Sequence, residues 1–213
     1  MAEARVILIR HGETQWNRDG RVQGYHADSP LTEEGRGQAR ALAGRLARER
    51  VDALYASDTG RTTETASPIG AATGLRVIRD AALRERNYGA FEGRTFAEVE
   101  RDFPAEYERF RTRDPRYVPP GGESAAQFRD RVMAALERIA AGATGERVAV
   151  VTHGGVLGIV YRHAMGIPLD ARRSYSLANA SLNHFLYADR RWLLEAWGDV
   201  AHLSAESADK PRL

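Results

Sequence analysis

Two stretches of the chain repeat one local design: Arg5-Val-Ile-Leu-Ile-Arg10-His11-Gly12 and Arg147-Val-Ala-Val-Val-Thr152-His153-Gly154. Each is an apolar, β-branched run ending in His-Gly, so each reads as a buried strand that delivers an imidazole to its carboxyl end. In parallel α/β sheets that end is where ligands bind. A lone histidine there is more often structural, but two in the same context argue for a shared site. A neutral imidazole held in line is a competent nucleophile. Phosphoryl transfer suits it, because the loose transition state needs positioning and positive charge around the equatorial oxygens. Arg10, Arg61 and the second imidazole at His153 are the groups that would supply such a cage.

The elements that must position these residues follow from pattern. Apolar β-branched runs alternate with segments of helical period, which predicts an α/β fold with a mostly parallel central sheet flanked by helices. Val6–Ile9, Val51–Ala56, Leu75–Ile78 and Val148–Val151 read as strands. Thr32 is the predicted N-cap of one helix, with Ala39, Leu42 and Leu46 as its apolar stripe. Ser57-Asp58 is the predicted cap of another, which Pro68 should kink or shorten. The clearest helix covers 123–141, with Ser124 near its start and Phe128, Val132, Leu136 and Ile139 on one face. A further helix covers 155–165, where Gly155 and Gly158 read as packing positions. Leu182–Tyr187 and Trp192–Trp197 form a predicted closing hairpin, and the tail from Gly198 reads as polar and loosely held. Between Leu83 and Gly122 broken helical segments carry Phe96, Val99, Phe103, Tyr107 and Phe110. This is a helical insertion of about 84–122 over the active-site edge, within one domain of residues 1–213.

Composition narrows the class. A chain of 213 residues with 43% hydrophobic content can bury one sizeable core. It has no cysteine, which excludes disulfides and thiolate metal sites and fits a reducing compartment. No run approaches the ~20 apolar residues that span a bilayer, and no secretory leader is seen, so no membrane partner and a cytoplasmic location are expected. The net charge is only +2, with Lys210 the single lysine, which argues against a nucleic-acid partner. Neither a Gly-x-Gly-x-x-Gly nor a Gly-x-x-x-x-Gly-Lys loop is present, which disfavours a nucleotide module. The six histidines lack the close paired spacing of a zinc hydrolase, so no metal is expected.

Arg10-His11-Gly12-Glu13-Thr14-Gln15-Trp16-Asn17 resembles the Arg-His-Gly signature of the histidine phosphatase superfamily, in the branch holding the cofactor-dependent phosphoglycerate mutases and their phosphatase relatives. Ser57-Asp58-Thr59-Gly60-Arg61 matches the Ser-Asp-x-x-Arg element, and Leu83-Arg84-Glu85 the acid-bearing segment. Pro120-Gly121-Gly122-Glu123-Ser124 matches a further element, and His153-Gly154 the second histidine. The resemblance implies that His11 is phosphorylated, that Arg10, Arg61 and His153 hold the phosphoryl group, and that Glu85 is the general acid. It also implies substrate contacts at Asn17, Gln23, Gly24 and Gly154.

Mutases of this family are expected to carry a Gly-Leu-Asn-Lys run and paired arginines in the insertion. Here Gly93-Arg94-Thr95-Phe96 replaces the first, and Arg111-Thr112-Arg113 is a poor version of the second. Phe91, Phe96, Phe103 and Phe110 suggest a more apolar specificity surface. A phosphomonoesterase acting on a small phosphorylated metabolite is therefore favoured over a phosphoglycerate mutase, which alone would need 2,3-bisphosphoglycerate. A phosphoprotein phosphatase and a non-catalytic phospholigand-binding protein are further alternatives. The physiological substrate and the oligomeric state, a homodimer included, stay open.

Overall fold

A computed structural model describes residues 3–203. In chain order the elements are β1 (Glu3–Arg10), α1 (Gln15–Arg18), α2 (Glu33–Leu46), β2 (Ala53–Ala56), α3 (Gly60–Thr73), β3 (Val77–Arg79), α4 (Phe96–Asp102), α5 (Pro104–Arg111), α6 (Ala125–Gly142), β4 (Arg147–Thr152), α7 (Gly154–Met165), β5 (Leu182–Ala188) and β6 (Arg191–Asp199). The strands form one six-stranded sheet in the order β3-β2-β4-β1-β5-β6. The β3-β2-β4-β1 portion is parallel, and the β5-β6 hairpin joins antiparallel to β1. The fold is thus α/β with a mostly parallel sheet, as the alternation of elements predicts.

Period-two alternation along the central strands divides the core in two. Val6, Leu8, Val148 and Val150 pack with α6 and α7, while Ile7, Ile9, Ala149 and Val151 pack with α2 and α3. The helices that follow β1 and β4 therefore leave the sheet on opposite faces. Adjacent parallel strands whose connections diverge in this way open a crevice at their carboxyl ends. Register pairs Arg10 with Thr152, so His11 and His153 emerge side by side at that crevice.

Several expectations need correction. The cap of α3 is Thr59, not Ser57-Asp58, and its side chain makes no capping bond. Instead Asp28, from a distant loop, accepts the backbone N–H of Arg61. Nor does Pro68 shorten α3, which continues from Gly60 to Thr73. The proline removes one ladder bond, but the buried stripe of Arg61, Thr62, Thr65, Ala66 and Ile69 holds the helix against its neighbours. The tail expected to be loose from Gly198 is packed as far as residue 203. Leu203 is buried in the same core cluster as Ile7 and Ile9, with Val200 against it; positions 204–213 lie outside the described residues.

The short helix α1 escapes periodicity because it spans a single turn, although its Thr14–Asn17 capping box is local. Within 84–122, α4 and α5 are separated where Pro104 occupies the first turn of α5. Phe91 meets Phe103 at a tilt and Phe110 edge-on, and Phe96 stacks on Phe110. Phe91 is fully buried in this cluster, so most of the phenylalanines form a small core of their own.

Candidate active site

His11 sits on the loop after β1, buried to 3% exposure. Its Nδ1 lies 2.8 Å from the Gly12 carbonyl oxygen. A carbonyl can only accept, so Nδ1 carries the proton and Nε2 keeps its lone pair. Burial first, then the positive charges of Arg61 and Arg10, hold the imidazole well below the usual histidine value. The imidazole is therefore neutral, with Nε2 bare.

The loop that carries it is pinned from several sides. Gly12 N–H donates to Thr65 Oγ1 of α3 at 3.0 Å. Ala180 N–H bonds the carbonyls of Arg10 and His11, and the Asn179 side-chain amide also donates to the His11 carbonyl. Ala180 is fully buried with φ +57°, a left-handed conformation unusual for a residue with a Cβ. Asn179 and Ala180 sit in a segment with no periodicity, so the sequence offered no signal for them.

His153 is completely buried, with its ring centroid 5.5 Å from that of His11. Its Nε2 lies 2.9 Å from Ser57 Oγ, and its Nδ1 has no partner among the described residues. A hydroxyl donating to Nε2 would leave the proton on Nδ1, the free edge of the ring. Burial and the Arg61 charge lower its pKa strongly as well.

Arg61, in the first turn of α3, is buried to 1% exposure. Its Nη1 pairs with Asp28 at 2.8 Å, and its Nη2 donates to the Gly24 carbonyl at 3.1 Å. Its Nε finds no partner among the described residues. Arg10 is anchored through Nη1 on the Leu177 carbonyl. Both guanidiniums line the cleft with His11 and Glu85.

Glu85 is buried to 8% exposure, with Oε1 accepting from Arg86 N–H at 2.8 Å and Oε2 from Gly155 N–H at 2.7 Å. Burial raises its pKa, and the two amides, Arg61 and Arg10 only partly oppose this. Gly155 does more than pack. A Cβ there would come within 2.0 Å of Glu85 Oε1, so only glycine lets α7 reach the carboxyl. Arg131 steadies the segment from behind, donating to the carbonyls of Ala82, Arg84 and Glu85 while pairing with Glu123.

The cleft lined by Arg10, His11, Arg61 and Glu85 measures about 1530 Å³. Asn17, Gln23 and Gly154 line it, as do Arg86, Tyr88 and Phe96 from the insertion. Gln23 Nε2 donates to Thr14 Oγ1 at 2.6 Å, and the Asn17 side-chain Oδ1 accepts from the Thr14 backbone N–H and the Asn179 side-chain amide. Gly24 is not among the lining residues. It is buried beneath Glu92, whose carboxylate would be 1.9 Å from a Cβ at this position, and its part is to hold Arg61 through its carbonyl. Of the four phenylalanines expected to form an apolar specificity surface, Phe96 alone lines the cleft, joined by Phe128, Leu169 and Leu177.

Comparison with known proteins agrees with this geometry. A model of the histidine phosphatase superfamily (branch 1) matches residues 6–200. The chain is 41% identical over 203 residues to the metal-independent phosphoserine phosphatase of Arabidopsis thaliana, covering 94% of this chain and 83% of that protein. It is 40% identical over 204 residues to phosphoglycerate mutase-like protein 4 of the same plant, covering 94% and 87%. The solved structure of Bacillus stearothermophilus YhfR superimposes with a TM-score of 0.86 at 34% identity, covering 93% of this chain and 98% of that one. With a paired His-Gly crevice at the centre of its sheet and a family match along nearly its whole length, this chain belongs to the histidine phosphatase superfamily.

Proposed function

We propose that the protein is a phosphomonoesterase that transfers the phosphoryl group of a small phosphorylated metabolite to His11 and then to water. The observation that carries the reading is the His11 Nδ1–Gly12 carbonyl bond, which leaves Nε2 bare in a cleft shared with Arg10, Arg61 and Glu85, with the His153 ring 5.5 Å from that of His11. In the first step Nε2 attacks phosphorus and the bond to the ester oxygen breaks. Glu85, whose pKa burial raises, gives its proton to the departing oxygen. In the second step the Glu85 carboxylate takes a proton from water, the oxygen of which displaces His11 and releases inorganic phosphate. Arg10, Arg61, the Asn17 amide and the Nδ1–H of His153 hold the equatorial oxygens, and the amino end of α7 at Gly154 adds a favourable dipole. The arginines supply the positive charge that a metal supplies elsewhere, so neither metal nor organic cofactor is required.

The insertion supports hydrolysis over mutase chemistry. Of Arg86, Arg94, Arg111, Arg113 and Arg116, Arg86 alone lines the cleft, and it donates to the carbonyls of Glu123 and Tyr117. Arg94, Arg111 and Arg116 are engaged with Asp102, Glu108 and Asp114 instead. A mutase needs a second anionic subsite that retains the bisphosphorylated intermediate and excludes water. The test is the ratio of isomerised product to free phosphate from 3-phosphoglycerate primed with 2,3-bisphosphoglycerate, beside a panel of small phosphomonoesters. Steady phosphate release with little isomerisation is expected; a ratio well above one would replace this reading with the mutase.

A further inference from the structure

Gln38 is a polar side chain in the middle of an amphipathic helix, yet it is buried to 6% exposure. Its position on α2 faces the loop that carries the nucleophile. Gly35, one turn earlier, brings the helix so close that a Cβ there would stand 2.0 Å from the Glu13 carbonyl oxygen. At this contact Gln38 Oε1 accepts the backbone N–H of Glu13 at 2.9 Å. That N–H belongs to the same planar peptide as the Gly12 carbonyl, which accepts from His11 Nδ1 at 2.8 Å. In a trans peptide the two groups point in opposite directions, so Gln38 and His11 sit at the two ends of one peptide dipole. The Glu34 carboxylate, which can only accept, receives Gln38 Nε2 at 3.5 Å and keeps the amide oxygen turned toward Glu13.

We propose that Gln38 is a positioning residue for phosphoryl transfer: it holds and polarises the Gly12–Glu13 peptide so that the Gly12 carbonyl keeps the His11 proton on Nδ1 and leaves Nε2 bare. The inference rests on the phosphohistidine reading of the site. Hydrogen bonds in series strengthen one another, and a carbonyl whose own N–H is engaged is the better acceptor. The orienter of the imidazole is thus the backbone, and Gln38 on α2 orients the backbone. The remaining polar groups of the loop are already fixed by Thr65 on Gly12 N–H and by Thr32 N–H on the Glu13 carbonyl. Gln38 controls the single peptide plane that faces the nucleophile.

The experiment compares the wild type with Gln38→Met and Gln38→Glu, reading phosphoenzyme formation from an aryl phosphate by rapid quench. The same proteins are read for the His11 tautomer by ¹⁵N NMR and for the pH dependence of phosphorylation. The charged and titratable groups around His11 are Arg10, Arg61 and His153, with Glu85 lining the same cleft, and none is altered by these substitutions. Gln38→Met leaves the Glu13 N–H without its acceptor. It should slow phosphorylation about tenfold to a hundredfold, change KM little and mix the Nδ1–H and Nε2–H tautomers. Gln38→Glu restores the acceptor, so it should recover most of the rate. Its added negative charge should move the acid limb of phosphorylation to higher pH. A Gln38→Met enzyme with wild-type tautomer and phosphorylation rate would overturn the proposal. If that variant does not fold, Gln38→Glu decides alone: an unmoved acid limb overturns it. Absence of any phosphoenzyme in the wild type would instead overturn the functional reading beneath it.

Discussion

At the scale of single residues, the chemistry of the cleft depends on which groups carry protons. Glu85, the proposed acid, has its pKa raised because burial outweighs two amide donors, and Gly155 leaves room for the carboxyl beside one of those donors. Gly155→Ala should therefore mimic Glu85→Gln. Both should lower kcat on alkyl phosphates by about a hundredfold and leave an activated aryl phosphate, which needs no proton, much less affected. Equal losses on both substrates would contradict this role. His11 and His153 titrate below the ordinary 6.5 in the folded chain, so the unfolded chain binds more protons as pH falls. Their contribution to stability is full above pH 6.5 and is lost as pH falls through it toward the folded values. Glu85 works in the opposite sense, favouring the fold below 4.5 and losing that contribution as pH rises through its raised value. Replacing His153 with Gln should flatten the pH dependence of unfolding free energy between about pH 5 and 6.5 by up to about one proton. Urea unfolding across that range checks it, and an unchanged slope would show that His153 is not held neutral.

At the scale of elements, local signals were legible and distant ones were not. Thr32 caps α2 as expected, and Ser124, expected near the start of its helix, proves to be the cap of α6; in both the cap and the amide it serves lie three residues apart. Asp28 caps α3 across 33 residues, and Glu92 gathers the N–H groups of Tyr25, His26 and Ala27 from more than 60 residues away. No period or spacing encodes such partners. The same holds for Arg131 behind Glu85 and for the Asn179-Ala180 clamp on His11. These long-range partners should nevertheless carry measurable energy. Asp28→Ala leaves a fully buried guanidinium without its carboxylate and the first turn of α3 without its acceptor, and should cost ~1–3 kcal/mol of stability. It should also raise KM for phosphomonoesters by freeing Arg61. Denaturant unfolding together with steady-state kinetics tests this, and a variant normal in both would remove Asp28 from the account.

At the scale of the whole molecule, the sheet was legible because β1 and β4 are buried on both faces and so read as unbroken apolar runs. The division of helices between the two faces was not, since it depends on packing that the sequence does not display. It is that division which opens the crevice between His11 and His153. Nothing in the described residues is a helix long and apolar enough to cross a membrane. The positive charge at the crevice comes from Arg10 and Arg61, so phosphatase activity should survive exhaustive chelation within about twofold. Loss of turnover in chelator, restored by Mg²⁺ or Zn²⁺, would overturn the mechanism. The most direct test of the central claim is to quench the enzyme during turnover of a radiolabelled phosphomonoester and to locate the label. The account predicts an acid-labile, base-stable phosphoryl group on His11 that is absent from His11→Ala; label that is acid-stable, or that persists in that variant, would contradict it.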